Sequence, residues 1–93
     1  MNNRLVLDGE IASQEPLRFS PAGIPIARAV LKHESQQSGQ RMQCELLIAA
    51  QGETARQLSG IKPGSRVKAS GAITRTSQNS RTVMMWIEQL TEE

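Results

Sequence analysis

Residues 46–73 read LLIAAQGETARQLSGIKPGSRVKASGAI, and this stretch decides the fold. The opening LLIAA is apolar without alternation, which predicts a strand buried on both faces, by a covering helix or by another subunit. Residues 52–60 favour helix and end on a glycine, so one or two helical turns are expected. A turn follows at residues 62–65, where proline precedes glycine, and residues 66–74 then alternate with the period of a strand.

The rest of the chain predicts strands on both sides of this stretch. Residues 4–11 alternate, with Leu5, Leu7 and Ile11 on one face. In chain order the predicted strands are residues 4–11, 26–34, 41–50, 66–74 and 82–90. Five strands with one short helical segment between the third and the fourth predict an all-β, five-stranded oligonucleotide-binding (OB-fold) barrel, since a sandwich needs about seven strands.

Three polar segments are expected to separate the early strands. Residues 13–16 break the first strand, and SPAGIP at residues 20–25 forms a turn that uses the positive φ available to Gly23. Residues 35–40, SQQSGQ, are polar and are expected to form the loop before the third strand.

Composition narrows the class of protein. The chain has 93 residues, of which 38% are hydrophobic and 22% charged, and residues 1–93 are expected to form one domain. No signal peptide is visible and no apolar run approaches membrane-spanning length, so a soluble cytoplasmic protein is expected. His33 and Cys44 are the only histidine and cysteine. They are too few for a zinc site and no spacing orients them as a catalytic pair, so we expect no enzyme, metal or cofactor.

Positive charge is concentrated in one part of the chain. All acids lie outside residues 54–87, whereas six of the eleven lysines and arginines lie inside that segment. Such clustering is typical of a polyanion partner, although it also arises on faces that are merely solvated. The segment TRTSQNSRT, residues 74–82, joins the last two strands and carries Arg75 and Arg81 without any acid.

Single-stranded nucleic acid is bound by positive charge along the backbone and by aromatic platforms for the bases. In an OB-fold barrel the loops between strands one and two and between strands four and five frame the groove. Trp86 alternates with Met85 and Ile87, and either packing in the core or stacking on bases is open to it. The residues expected to contact nucleic acid are Arg18, Phe19, Arg28, Lys32, Arg41, Lys68, Arg75, Arg81 and Trp86.

Several short motifs resemble one bacterial family. NRLVLDGEI, SPAGIP, LKHES, PGSRVKASGAI and IEQL occur in order between residues 3 and 90 and are similar to primosomal replication protein N, the PriB family. The resemblance implies a homodimer of OB-fold barrels that binds single-stranded DNA, stimulates the restart helicase and helps to assemble the primosome, without enzymatic activity. By position, it also implies DNA contacts at Arg18, Arg75 and Arg81, with His33 bordering the same surface.

Two other functions stay open from the residues. The segment SQQSGQRMQ, residues 35–43, holds no aromatic side chain for stacking, and Glu34 places an acid near the expected groove. A protein–protein scaffold of the primosome with weak DNA binding is therefore one alternative, and a generic single-stranded nucleic-acid-binding protein is another. Salt dependence distinguishes a nucleic-acid-binding module from the scaffold. Counterion release makes the DNA affinity of a binding module fall log-linearly with salt, whereas a scaffold binds its protein partner with DNA absent.

Overall fold

Five long strands and one short helix form a closed barrel in the computed structural model, which describes residues 1–93. The elements are β1 (Leu5–Gln14), β2 (Arg18–Phe19), β3 (Pro25–Gln37), β4 (Gln40–Gln51), α1 (Glu53–Ser59), β5 (Arg66–Arg75) and β6 (Val83–Glu92). The predicted OB-fold is confirmed, including the helix between the third and fourth long strands. The two-residue β2, which pairs with the start of β3, is an addition that the sequence did not predict.

The barrel closes because β1 pairs with two partners. Its first half pairs with β5, up to Glu10↔Arg66, and its second half pairs with β3, down to Gln14↔Ala29. The register shifts between Ile11 and Ser13, so the predicted break at residues 13–16 is wrong at its start: the strand bends at a bulge and continues. Gly9 lies at the crossing, where an added Cβ would overlap the carbonyl oxygen of Lys32.

The predicted loop at residues 35–40 is wrong. Strands β3 and β4 pair continuously from Ile26↔Gln51 to Gln37↔Gln40, and the turn consists only of Ser38 and Gly39, with φ of 53° and 75°. Positive φ at both central residues matches the right-handed twist of a hairpin. The segment is polar because both its faces lie in solvent. This "arm" (residues 32–45) extends beyond the barrel and helps to give the molecule its 47 × 31 × 21 Å dimensions.

Aliphatic side chains fill the barrel, as alternation predicts. Ile11, Leu31, Ile48 and Met85 are fully buried in the inner cluster, and α1 closes one end with Leu58. The LLIAA segment is not covered by another element on its outer side. Instead Ala49 is 1% exposed between its register neighbours Arg28 and Trp86, whose longer side chains flank it.

The loops reach opposite ends of the barrel. Residues 15–24, the "first loop", lie with α1 at one end, while residues 76–82, the "basic loop", lie with the arm at the other, because β1 and β5 run antiparallel. The predicted turn in SPAGIP is confirmed, with Gly23 at φ 82° and its N–H donating to the Ser20 carbonyl at 2.8 Å. The short α1 is the only helix, and it is far below the length and apolarity that a membrane crossing requires.

Candidate nucleic-acid interface

The outward side of β3, β4 and β6 forms one continuous surface between the two loops. We call it the outer face, and its residues are Arg28, Val30, Leu47, Ala49, Met84 and Trp86. One row across the strands runs Arg28–Ala49–Trp86, and the next runs Val30–Leu47–Met84. Ala49 and Met84 are buried, so the accessible apolar part of the outer face consists of the half-buried Val30, Leu47 and Trp86, and exposed Arg28 lies at one side.

Trp86 lies outside the core cluster and is half-buried. Its neighbours in sequence, Met85 and Ile87, point into the barrel, so the alternation of β6 carries the indole outward. Across the strands Trp86 faces Ala49 on one side and Ala72 on the other. Because both register neighbours are alanines, neither strand places a long side chain directly opposite the indole, and Trp86 keeps part of its surface exposed, as a base-stacking platform requires.

The basic loop presents its arginines without competing acids. Arg75 is the last residue of β5, and both Arg75 and Arg81 are exposed. The Thr76 N–H donates to the Thr82 carbonyl at 3.0 Å, so a backbone hydrogen bond joins the two ends of the loop. Neither arginine takes part in an ion pair, and the same holds for Arg28. These three cations are available to an anionic partner.

Positive charge on the arm is matched by acids. Arg41 contacts the Glu34 carboxylate at 3.0 Å, and the hydrogen bond and charge of that guanidinium lower the pKa of Glu34 below its ordinary value of 4.5. Lys32 stands opposite Glu45 in the β3–β4 register. Both cations stay exposed, but the arm contributes less unmatched charge than the barrel beside it.

The first loop carries an exposed aromatic side chain. Phe19 is 57% exposed and lies in β2, where it pairs with Pro25. The guanidinium of Arg56, on α1, lies over its ring at 6.0 Å from the centroid, and Arg18 pairs with Glu15 at 3.4 Å. Sequence reasoning did not single out Arg56, since no local pattern places a residue of α1 over a ring in the first loop.

Two of the expected contact residues point away from the side of the molecule that carries the outer face. His33 points to the other side of the arm, where Nδ1–H donates to the Asp8 carbonyl at 2.6 Å and Nε2 lies 2.9 Å from the Ser35 hydroxyl. Lys68 lies between Asp8 of β1 and Thr91 of β6, on a different wall of the barrel. Alternation shows that a residue points out of the barrel. Outward residues surround the whole closed barrel, however, so they need not share one surface.

The remaining chemistry-bearing side chains lie apart from one another. No group of three or more His, Cys, Asp or Glu side chains is placed to hold a metal ion. Cys44 is exposed on the arm opposite His33 in register, and the two hydrogen bonds of His33 go to Asp8 and Ser35 instead. The accessible apolar part of the outer face, flanked by unpaired arginines, suits an extended ligand that has both charge and flat rings.

Comparison with known proteins gives consistent results. A family model described as "another single-strand binding protein family" matches residues 3–89. The replication restart protein PriB of Photorhabdus laumondii is 38% identical over 76 residues, which are 76% of this chain and 72% of that protein. PriB of Neisseria meningitidis serogroup B is 34% identical over 95 residues, covering 98% of this chain and 94% of that one.

Solved structures support the same fold. A structure of PriB from Ralstonia solanacearum superposes with a TM-score of 0.85 at 26% identity, with both chains covered completely. The single-strand binding domain of a Synechococcus protein superposes with a TM-score of 0.78 over 98% of this chain and 96% of that one. At 15% identity, this second similarity shows the fold alone.

Proposed function

This chain belongs to the PriB family of replication restart proteins, within the single-strand binding proteins, and on that premise we propose that its outer face binds single-stranded DNA. The observation that carries the proposal is the position of Trp86, outside the core and beside cations that have no acidic partner. A generic single-stranded nucleic-acid-binding role would use the same surface, so RNA is the competitor to test.

The proposed contacts divide by their chemistry. Arg28, Arg75 and Arg81 neutralise phosphates, and each neutralised phosphate releases counterions. Trp86 stacks on a base, a contact worth about 1–3 kcal/mol. The remaining proposed contacts lie at the margins of the outer face. Acids neutralise part of the charge of three of them, Arg18, Lys32 and Arg41. The fourth is Phe19, whose ring is exposed.

We further propose that the chain acts in replication restart in the bacterial cytoplasm, where it stimulates the restart helicase and helps to assemble the primosome. Nothing in this role requires catalysis or a cofactor. A scaffold with weak DNA binding is the second candidate, and the charge pairing of Arg41 with Glu34 on the arm favours it. The two candidates differ in whether the outer face must hold DNA for the protein to act.

A homodimer is part of the proposal, and an unpaired edge of β1 supports it. Residues Leu5–Gly9 pair with β5 on one side only. An antiparallel second copy centred on Val6 would place Arg4 opposite Asp8 of that copy and cover Val6, which is 47% exposed. Two-fold pairing of this kind is the commonest way in which like chains associate. Mass measurement in solution tests it, since a monomer at micromolar concentration would contradict it.

The DNA proposal is best tested by titrating the protein with labelled oligo-dT at several salt concentrations. Trp86 is the only tryptophan and there is no tyrosine, so intrinsic fluorescence reports on Trp86 alone. We expect oligo-dT to quench that fluorescence, and a duplex of equal length to bind much more weakly. An oligo-U titration separates DNA from RNA.

A matched pair of variants locates the groove. We expect Arg75→Ala with Arg81→Ala to reduce the log–log salt slope by roughly 1.4, at about 0.7 per phosphate on a single strand. The control, Lys62→Ala with Arg66→Ala, removes the same charge at the far end of the barrel and should leave most of the affinity. An equal loss of oligo-dT affinity in both variants would mean that affinity depends only on the net charge of the protein. Absence of DNA binding at low salt would favour the scaffold.

A further inference from the structure

One edge of β4 lacks a partner along most of the arm. Strand β4 pairs with β6 only from Leu47↔Met84 to Ala49↔Trp86. Residues 40–46 pair with β3 on one side, and no backbone group of the basic loop bonds to them on the other. All residues from Gln40 to Glu45 are exposed. An exposed strand edge of this length, without proline or a bulge, is a template for pairing with another strand.

The hairpin turn determines which groups of this edge are free. Gln37 and Gln40 flank the two-residue turn, so their N–H and C=O groups face each other across the hairpin. Because direction alternates along a strand, the backbone groups of Arg41, Gln43 and Glu45 point away from β3. The same alternation directs the groups of Leu47 towards β6, in agreement with the observed pairing.

We propose that this edge of β4 pairs antiparallel with the same edge of a second copy of the chain, with Gln43 of the two copies facing each other across the two-fold axis. This register places Arg41 opposite Glu45 of the second copy and Glu45 opposite Arg41 of the second copy. Every free N–H and C=O of Arg41, Gln43 and Glu45 then has a partner, since each of these positions becomes a hydrogen-bonded pair.

The side chains agree with this register on both sides of the sheet. Arg41 and Glu45 share one side and have opposite charge, which favours their direct opposition across strands. Arg41 already contacts Glu34 of its own chain, so Glu45 of the second copy would add a second carboxylate to that pair. On the other side, Met42 faces Cys44 of the second copy, and Met42 is 39% exposed in the single chain. Moving the register by two residues leaves the backbone groups of either Arg41 or Glu45 unpaired and separates the opposite charges.

This contact is distinct from the proposed pairing of β1, and it shares only Arg41 with the proposed DNA contacts. It uses the edge of the arm, whereas the outer face points perpendicular to the sheet and stays open. Two different two-fold contacts in one chain allow dimers to associate further, so the expected result at high protein concentration is an assembly larger than a dimer.

Cysteine cross-linking in the full chain tests the register. In a Cys44→Ser background, Gln43→Cys places two sulfurs at the axis, where a hydrogen-bonded pair has its Cα atoms about 5.5 Å apart. A disulfide spans about 4.4–6.8 Å between Cα atoms, so mild oxidation should yield a covalent dimer. The matched control is Gln36→Cys in the same background. Gln36 is exposed on β3, and its counterpart would lie three strand spacings away across the sheet, about 14 Å, and further along the strand as well, so it is beyond reach.

Charge reversal gives an independent readout. Adding Glu45→Arg to the Gln43→Cys variant should slow its cross-linking by roughly tenfold, because it places like charges opposite each other twice. Adding Arg41→Glu as well should restore the rate. Cross-linking that is equally fast for the variants at positions 36 and 43 would reflect random collision and would overturn the proposal. So would a folded Gln43→Cys variant that does not cross-link, which would leave the basic loop of the same chain as the cover of this edge. Oligo-dT binding is measured in parallel, so a failure of this contact is separable from a failure of the DNA proposal.

Discussion

Replacing Gly71 by alanine should disturb both the barrel and the proposed DNA surface. Gly71 lies on β5 opposite Ile87, beside a register shift between Ser70 and Gly71. A Cβ at this position would overlap the carbonyl oxygen of Trp86 and lie 2.8 Å from its carbonyl carbon and 3.0 Å from the Ile87 Cα. These are backbone atoms of a neighbouring strand, so no side-chain rotation relieves the contact and β6 must move.

The size of the effect follows from that geometry. Forcing an extra carbon into a packed interior costs about 1–3 kcal/mol. For a domain of this size each kcal/mol lowers Tm by about 4–8 °C, so a loss of about 2 kcal/mol predicts a decrease of about 8–16 °C. Gly60→Ala is the matched control: Gly60 has φ −84°, and its nearest contacts for a Cβ are 3.6 and 3.7 Å away. We expect that control to stay within about 0.5 kcal/mol of the parent.

Thermal unfolding followed by circular dichroism measures the stability, and the fluorescence of Trp86 reports on the strand that must move. The Gly71→Ala variant should unfold earlier, shift the emission of Trp86 before unfolding, and bind oligo-dT more weakly. A Tm within about 2 °C of the parent, with unchanged emission, would refute the close approach of β5 and β6. Lower stability with unchanged DNA affinity would instead separate Trp86 from the binding surface.

Other consequences of the structure can be measured directly. Leu58→Ala should cost about 2–5 kcal/mol in urea unfolding, because Leu58 is fully buried where α1 closes the barrel; a loss below about 1 kcal/mol would contradict that role. Phe19→Ala should weaken oligo-dT binding by about 1–3 kcal/mol per stacked base while leaving Tm nearly unchanged, since the ring is exposed; unchanged affinity would remove Phe19 from the surface. Arg41 lowers the pKa of Glu34, so its stabilisation of the arm is complete above the ordinary value of 4.5 and is lost as pH falls through the lowered value. The protection of arm amides, relative to their intrinsic exchange rate at each pH, should decrease with that loss, and Glu34→Gln should abolish this change in protection.

The local pattern of side chains was sufficient to predict the strands and the helix of the barrel. Alternation places Ile11, Leu31 and Met85 inside, and each is fully buried. Glycines that need positive φ mark the turns at Gly23 and Gly64, because other residues rarely adopt that backbone. The order of five strands with one helix then restricts the topology to few choices, and the OB-fold is the one observed.

The arm shows where such local reasoning fails. Its residues are polar on both faces, so they lack the hydrophobic alternation that identifies a half-buried strand. What makes residues 35–37 and 40–45 strands is mutual pairing across the Ser38–Gly39 turn, which depends on the partner strand rather than on burial. The sequence did not predict the bulge in β1 for a similar reason, because the bulge depends on the pairing of β1 with β3 that closes the barrel.

The sequence by itself determined which barrel residues face inward, the turns at Gly23 and Gly64, and that the positive charge is concentrated in one segment. Only the tertiary structure decided which outward residues share a surface. It brings Trp86 beside Ala49 and Arg28, and it carries Lys68 to another wall of the barrel. The physical reason is that periodicity is a property of one strand, whereas a binding surface is built from neighbouring strands whose order and register are fixed by long-range pairing.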